Sequence, residues 1–149
     1  MPVMNVAKFE RFFRAAASLD VDHADLKRYN DFLDKGIYAL LLRGQANAKA
    51  NGHAIIWPSD LPITKGLQEC IHAFRKIDEE IELQSILDGL TKHPPLELGY
   101  RGKTEAELPG IAGGLSLALA RSFRIIDPQL KNPMPQHWER IFRLFDLLV

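Results

Sequence analysis

An all-α fold built from two three-helix halves in tandem is what this sequence predicts, on three observations. Apolar residues recur at three- and four-residue spacing across the 28 positions from His23 to Ala50. Shorter stretches with the same periodicity flank that segment on both sides. The short–long–short order then returns, in weaker form, after residue 80.

The first helix is predicted over Val6 to Ala17, where Phe9, Phe12, Phe13 and Ala16 share one face and Lys8, Arg11 and Arg14 the other. Ser18 to Val21 breaks the pattern. Asp22, with Asp25 three residues on, supplies an N-cap and an acidic first turn for the second helix. Its stripe runs Leu26, Tyr29, Leu33, Ile37, Leu40, Leu41, Gly44 and Ala48 with no proline, a length of about 42 Å at 1.5 Å per residue. Asn51-Gly52 is a C-terminal stop. His53 to Trp57 reads as a short extended piece between Gly52 and Pro58. Ser59 or Asp60 is then expected to cap a third helix, with Pro62 in its first turn and Ile63, Leu67, Ile71, Phe74 and Ile77 on one stripe.

The second half repeats this plan with fewer matching residues. Ile81 to Leu90 is a short helix and Lys92 to Gly99 a break. A long helix is expected from Glu105 or Leu108 to Ile126, with Pro109 in the first turn. Asp127-Pro128 ends it, Lys131 to Pro135 bridges, and Gln136 to Leu148 forms the last helix. Phe74 and the series Trp138, Ile141, Phe142, Phe145 and Leu148 are expected in the core, part of that surface being suited to a contact between copies. Gly113-Gly114 inside a helix points to close helix packing, because no Lys-Ser/Thr follows in phosphate-loop spacing. The chain is thus expected to form one compact domain over 1–149, with halves at 5–78 and 80–149.

Composition narrows the function. Lys plus Arg and Asp plus Glu number 19 each, so net charge is zero. Proteins that coat nucleic acid usually carry a basic excess, because neutralised phosphates supply most of their affinity. Residues 1–78 hold 11 basic and 9 acidic side chains and 79–149 hold 8 and 10, so DNA contact would require charges sorted onto one face. Cys70 is the single cysteine, which excludes an intrachain disulfide. No basic, apolar leader opens the sequence, and Ile111 to Ala120, its most apolar run, is half the roughly 20 residues of a membrane span. A cytoplasmic location, with no membrane partner, is the expectation.

Enzymatic signatures are missing. His23, His53, His72, His93 and His137 are scattered; Glu69 with His72, and His137 with Glu139, fall short of a His-Glu-x-x-His zinc motif. Cys70 lacks a recognisable base partner. The expectation is a non-enzyme with no cofactor or metal.

The stretch from Ala48 to Leu61 resembles the end of the long helix, the second loop and the third-helix start of archaeal histones. Their pattern there is an Ala-rich helix end, then Gly-Arg-x-Thr, then an Asp-apolar pair. The whole chain more closely resembles a bacterial family of tandem histone-fold proteins known as a domain of unknown function. That resemblance rests on Phe9-Glu10-Arg11, Leu19-Asp20-Val21-Asp22, Asp25-Leu26-Lys27-Arg28, Asp60-Leu61-Pro62-Ile63, Lys65-Gly66-Leu67-Gln68-Glu69 and Leu130-Lys131-Asn132-Pro133. It implies two histone folds in one chain, a pseudo-dimer of helix–loop–long helix–loop–helix units.

The resemblance further implies an architectural DNA-binding protein, contacting phosphates without base specificity and associated with the nucleoid. The contact residues it points to are Lys8, Arg11, Arg14, Lys27, Arg28 and, by analogy with the other half, Lys131. Two departures support a second reading, a histone-fold interaction or assembly module with a protein partner. His53 stands at the loop Arg position and Ile55 at the Thr position, so only a His53–Asp60 hydrogen bond can stand in for the loop clamp. Asp20, Asp22 and Asp25 also place three carboxylates where a histone approaches the DNA backbone.

Overall fold

The computed structural model describes residues 2–77 and 79–148. The termini of the expected 1–149 domain, and residue 78 at the edge of the first half, therefore lie outside the described residues. Among the described residues six α-helices run as α1 (Val6–Ala17), α2 (His23–Ala50), α3 (Lys65–Phe74), α4 (Leu83–Leu90), α5 (Lys103–Ile126) and α6 (Pro135–Leu148), with a 3-10 turn at Pro58–Asp60. Among the described residues there is no strand, so the chain is all-α and each half runs short, long, short.

Helix ends follow local chemistry. Asn5 Oδ1 accepts the Lys8 amide at 2.9 Å to start α1. At its far end Ser18 adopts the left-handed conformation (φ 54°), and the Ser18 and Leu19 amides return to the Arg14 and Phe13 carbonyls at 3.0 and 3.3 Å. Asp22 and Asp25 form the reciprocal capping box that opens α2, each carboxylate accepting the other's amide at 3.1 Å. The expected stop holds too: Gly52 has φ 72°, and the His53 amide reaches back to the Ala48 carbonyl at 2.9 Å.

Four helix starts differ from the expectation, that of α6 only by one residue, at Pro135 instead of Gln136. The third helix is capped by Thr64, whose hydroxyl accepts the Leu67 amide at 3.2 Å, and Pro62 lies in the loop before it. Asp60 is unavailable as that cap because its carboxylate is already taken by the Trp57 amide, Asn51 and His53. The fourth begins at Leu83, not Ile81. The fifth begins at Lys103, so Pro109 sits inside it, beyond the first turn; there it removes one amide donor from the helix ladder.

The two long helices run antiparallel. The loop before α2 meets the loop before α6, where the Asp20 amide donates to the Lys131 carbonyl at 2.7 Å. The loop after α2 meets the loop before α5, where the Ile56 amide donates to the Gly99 carbonyl at 2.8 Å and Thr104 Oγ1 to the Ile56 carbonyl at 2.7 Å. Each half thus contributes one loop to each end of the molecule. Between the ends, buried Tyr29 of α2 meets Ser116 of α5 at 2.7 Å, and the Ser116 hydroxyl also reaches the Ala112 carbonyl at 2.7 Å.

Shape complementarity is closest between α3 and α5. A Cβ on Gly113 would stand 2.0 Å from the Phe74 ring, and one on Gly114 2.4 Å from Ile71 Cγ1. The glycine pair is the close-packing device its position implied. Phe74, Trp138 and Ile141 are buried as expected, whereas Phe142 and Phe145 are half-buried against Phe32. Leu148 departs from the expectation: it is 76% exposed and, like Leu147, lies beyond Phe145, which still packs against the core.

Candidate nucleic-acid interface

Five of the six candidate phosphate-binding cations lie on α1 and the first turns of α2. Asp20 ties the sixth, Lys131, to the same end of the molecule through the backbone bond described above. The side chains of α1 separate by hydrophobicity, with Phe9, Phe12 and Phe13 buried and Arg11 and Arg14 exposed. The structure therefore brings cations from both halves to one end.

It also supplies carboxylates to three of them. Arg11 Nε contacts Glu79 Oε1 at 2.8 Å, the acid being only 8% exposed. Arg14 faces Asp20 at 3.6 Å and Arg28 faces Asp25 at 3.5 Å. Lys8, Lys27 and Lys131 have no such ion pair among the described residues. Exposed ion pairs contribute about 0–1 kcal/mol, so a phosphate can displace them, but each neighbouring acid subtracts from the local potential. Asp25 is the most constrained. Burial pushes its pKa up, against the Asp22 amide, the Trp138 indole N–H at 2.9 Å and Arg28, which favour the charged form.

His53 and Asp60 do meet, at 2.8 Å between Nδ1 and Oδ2, but at the other end of α2. They form part of a closed network and share no surface with the α1 cations. Burial acts to raise the Asp60 pKa. Hydrogen bonds from His53, the Trp57 amide and Asn51 outweigh it, and the net direction is down. The His53 ring lies flat on Trp57 with centroids 3.5 Å apart.

Arg124 of α5 escaped the sequence reading. It donates to the carbonyls of Ala17, Ser18 and Pro128, fastening the C-terminus of α1 to the end of α5. A lone arginine before Ile125-Ile126 gives no signal of this role, since its α1 acceptors lie over a hundred residues away.

An all-helical protein with interlocked halves and a mixed-charge surface is the class that fold and site define. The chain belongs to the family described as Domain of unknown function (DUF1931), whose model matches residues 9–146. It is similar to an "Uncharacterized protein" of Aquifex aeolicus (strain VF5), with 27% identity over 110 residues. That match takes in 74% of this chain but 64% of the relative, so the chain spans under two thirds of that protein's length. A crystal structure of a Thermus thermophilus protein superposes with a TM-score of 0.93 at 49% identity, covering 99% of both chains. Protein AQ328 from Aquifex aeolicus, at 24% identity, shares the fold with a TM-score of 0.82 over 96% of this chain and 94% of its own. Among the described residues no helix is long and apolar enough to cross a membrane.

Proposed function

We propose that the two halves are histone-type units paired within one chain, and that the protein is an architectural DNA-binding protein of the cytoplasm, placed on the nucleoid. The antiparallel long helices and the exchange of loops at both ends support the pairing. The observation that carries the DNA reading is the Asp20–Lys131 backbone bond, since it sets a second-half cation beside the first-half cations of α1 and α2. Contact is with phosphates alone. No base-reading helix is needed, and binding is insensitive to sequence.

The ion pairs set the expected strength. Six phosphate contacts would give a slope of log K against log salt near −5, at about −0.9 per contact. With Arg11, Arg14 and Arg28 already facing carboxylates, the three lysines dominate and the slope falls to about −2.7, a loss of roughly 40-fold between 50 and 200 mM salt. Gel retardation of a duplex across that range tests the reading. Retention at about 50 mM with this shallow slope supports it, together with equal weakening on all sequences by Arg11→Glu/Arg14→Glu. Absence of retention at the lowest salt refutes it.

A second reading, a histone-fold assembly module bound to protein, is favoured by the Arg11–Glu79 and Arg14–Asp20 pairs and by Leu147 and Leu148 of α6, exposed by 82% and 76%. It expects no retention, with self-association or a stoichiometric protein complex that Leu147→Glu/Leu148→Glu abolishes.

A further inference from the structure

At the opposite end of the molecule lies a cleft of about 570 Å³ with none of the α1 or α2 candidate cations in it. Trp57 and Ile55, exposed by 49% and 44%, form its apolar wall, and Arg101 and Lys103, from the loop before α5 and its first residue, stand on the other side. Neither cation has a carboxylate at ion-pairing distance among the described residues. An indole half in water, beside a second exposed apolar side chain and two cations, offers a partner an apolar face and positive charge together.

The indole is not loose. One face is covered by His53, which is fixed by the 2.8 Å contact to Asp60, and Asp60 in turn accepts the Trp57 backbone amide at 2.8 Å. Trp57 is therefore anchored from its own backbone and from one face. Its other face remains for a flat ring, with two positive charges across the cleft.

A flat apolar ring joined to a negative charge is the repeating unit of an unpaired nucleic-acid strand. We propose that this cleft binds single-stranded nucleic acid, with a base stacked on Trp57 and the adjoining phosphates held by Arg101 and Lys103. A base inside a duplex hides its face against its neighbours, so the cleft selects strands, ends or unpaired positions. The geometry carries no sequence preference, since every base offers a π-face. None of the residues proposed for duplex contact takes part, so the two sites stand or fall separately.

Fluorescence anisotropy of a labelled oligothymidylate of about 12 nucleotides, titrated with the full chain at low salt, tests the site. The strand should quench the exposed Trp57, Trp138 being buried at 1% exposure. Trp57→Leu should weaken strand binding roughly five- to hundred-fold and Trp57→Tyr less. Arg101→Glu/Lys103→Glu should weaken it and flatten its salt slope by about 1.4, while Arg11→Glu/Arg14→Glu leaves it unchanged. Circular dichroism melts of each variant confirm folding. Strand affinity equal to wild type in folded Trp57→Leu overturns the proposal, as does absence of strand binding at about 50 mM salt.

Discussion

Three glycines of α5 should respond to the same substitution with opposite signs. Gly110→Ala would place its new methyl 4.0 Å from Ile71 Cγ2, an ordinary contact, so the change reads out helix propensity and should stabilise by about 0.5–1 kcal/mol. Gly113→Ala would put Cβ 2.0 Å from Phe74 Cδ1 and 2.5 Å from Cγ, so the whole ring must move. That ring is 6% exposed and packed edge-on against Phe12 at 5.9 Å. Gly114→Ala is worse, because its Cβ would lie 3.0 Å from the Ile71 backbone N and Cα as well as 2.4 Å from Cγ1. A backbone cannot rotate away; α3 itself must retreat. Overpacking costs about 1–3 kcal/mol, and loosening Ile71 and Phe74 forfeits part of the roughly 1.5–3 kcal/mol each gains from burial. Against about 1 kcal/mol of helix propensity, net destabilisation of about 1–2 kcal/mol is expected for Gly113→Ala and about 2–4 for Gly114→Ala. Urea unfolding followed by far-ultraviolet circular dichroism measures all three. Gly114→Ala matching or exceeding Gly110→Ala in stability would refute the α3–α5 packing account.

Arg124→Ala leaves the Ala17, Ser18 and Pro128 carbonyls without their guanidinium donor. At about 2 kcal/mol for charge-assisted bonds of a part-exposed group, the melting temperature should fall by roughly 4–8 °C, and Arg124→Lys should recover part of it. Asp60 and Asp34 should show opposite acid behaviour. The folded-state pKa of Asp60 is depressed, so its contribution is present above the unfolded value near 3.9 and is lost as pH falls through the folded one; the deficit of Asp60→Asn against wild type should shrink below about pH 4. Asp34 is raised, by burial ahead of the Lys92 attraction that opposes it, so its charge disfavours folding. Asp34→Asn should therefore be more stable than wild type at neutral pH and lose that advantage as pH drops through the folded-state pKa, both read by thermal melts across pH.

Legibility in the sequence tracked the range of the interactions. The capping box at Asp22 and Asp25, the stop at Asn51-Gly52 and the stripe of α2 depend on neighbours within five residues, and all were readable. The third-helix start was misread because Ser59, Asp60 and Thr64 are all good caps, and only the fold shows that Asp60 is occupied by Trp57, Asn51 and His53. The early start of α5 was hidden for a related reason: Thr104 spends its hydroxyl on the Ile56 carbonyl of the other half. The α1 cation stripe was visible as a pattern, yet the partner of Arg11 lies 68 residues away at Glu79, beyond any periodicity. Trp57 was legible as an aromatic beside a proline, but not as a ring fixed on His53.

Where the charges sit matters more than their sum. A neutral chain can still bind an anion if its acids are turned inward or used in pairs, and both devices operate here. At the α1 end Asp25 is buried and bonded, and the Glu79 carboxylate is nearly buried against Arg11. Charges so placed lower the potential of the α1 surface without presenting themselves to an approaching phosphate. At the other end Arg101 and Lys103 have no carboxylate at ion-pairing distance among the described residues, and the Asp60 carboxylate that holds the Trp57 amide is buried. On the two proposals, a partly neutralised end and an end whose two cations stand beside an aromatic wall would meet the two forms of nucleic acid by different physics, counterion release for the duplex and stacking for the strand. It follows that raising salt should abolish duplex binding first and strand binding later, since stacking has no ionic-strength dependence of its own. Loss of both in parallel would mean that charge alone governs the two ends.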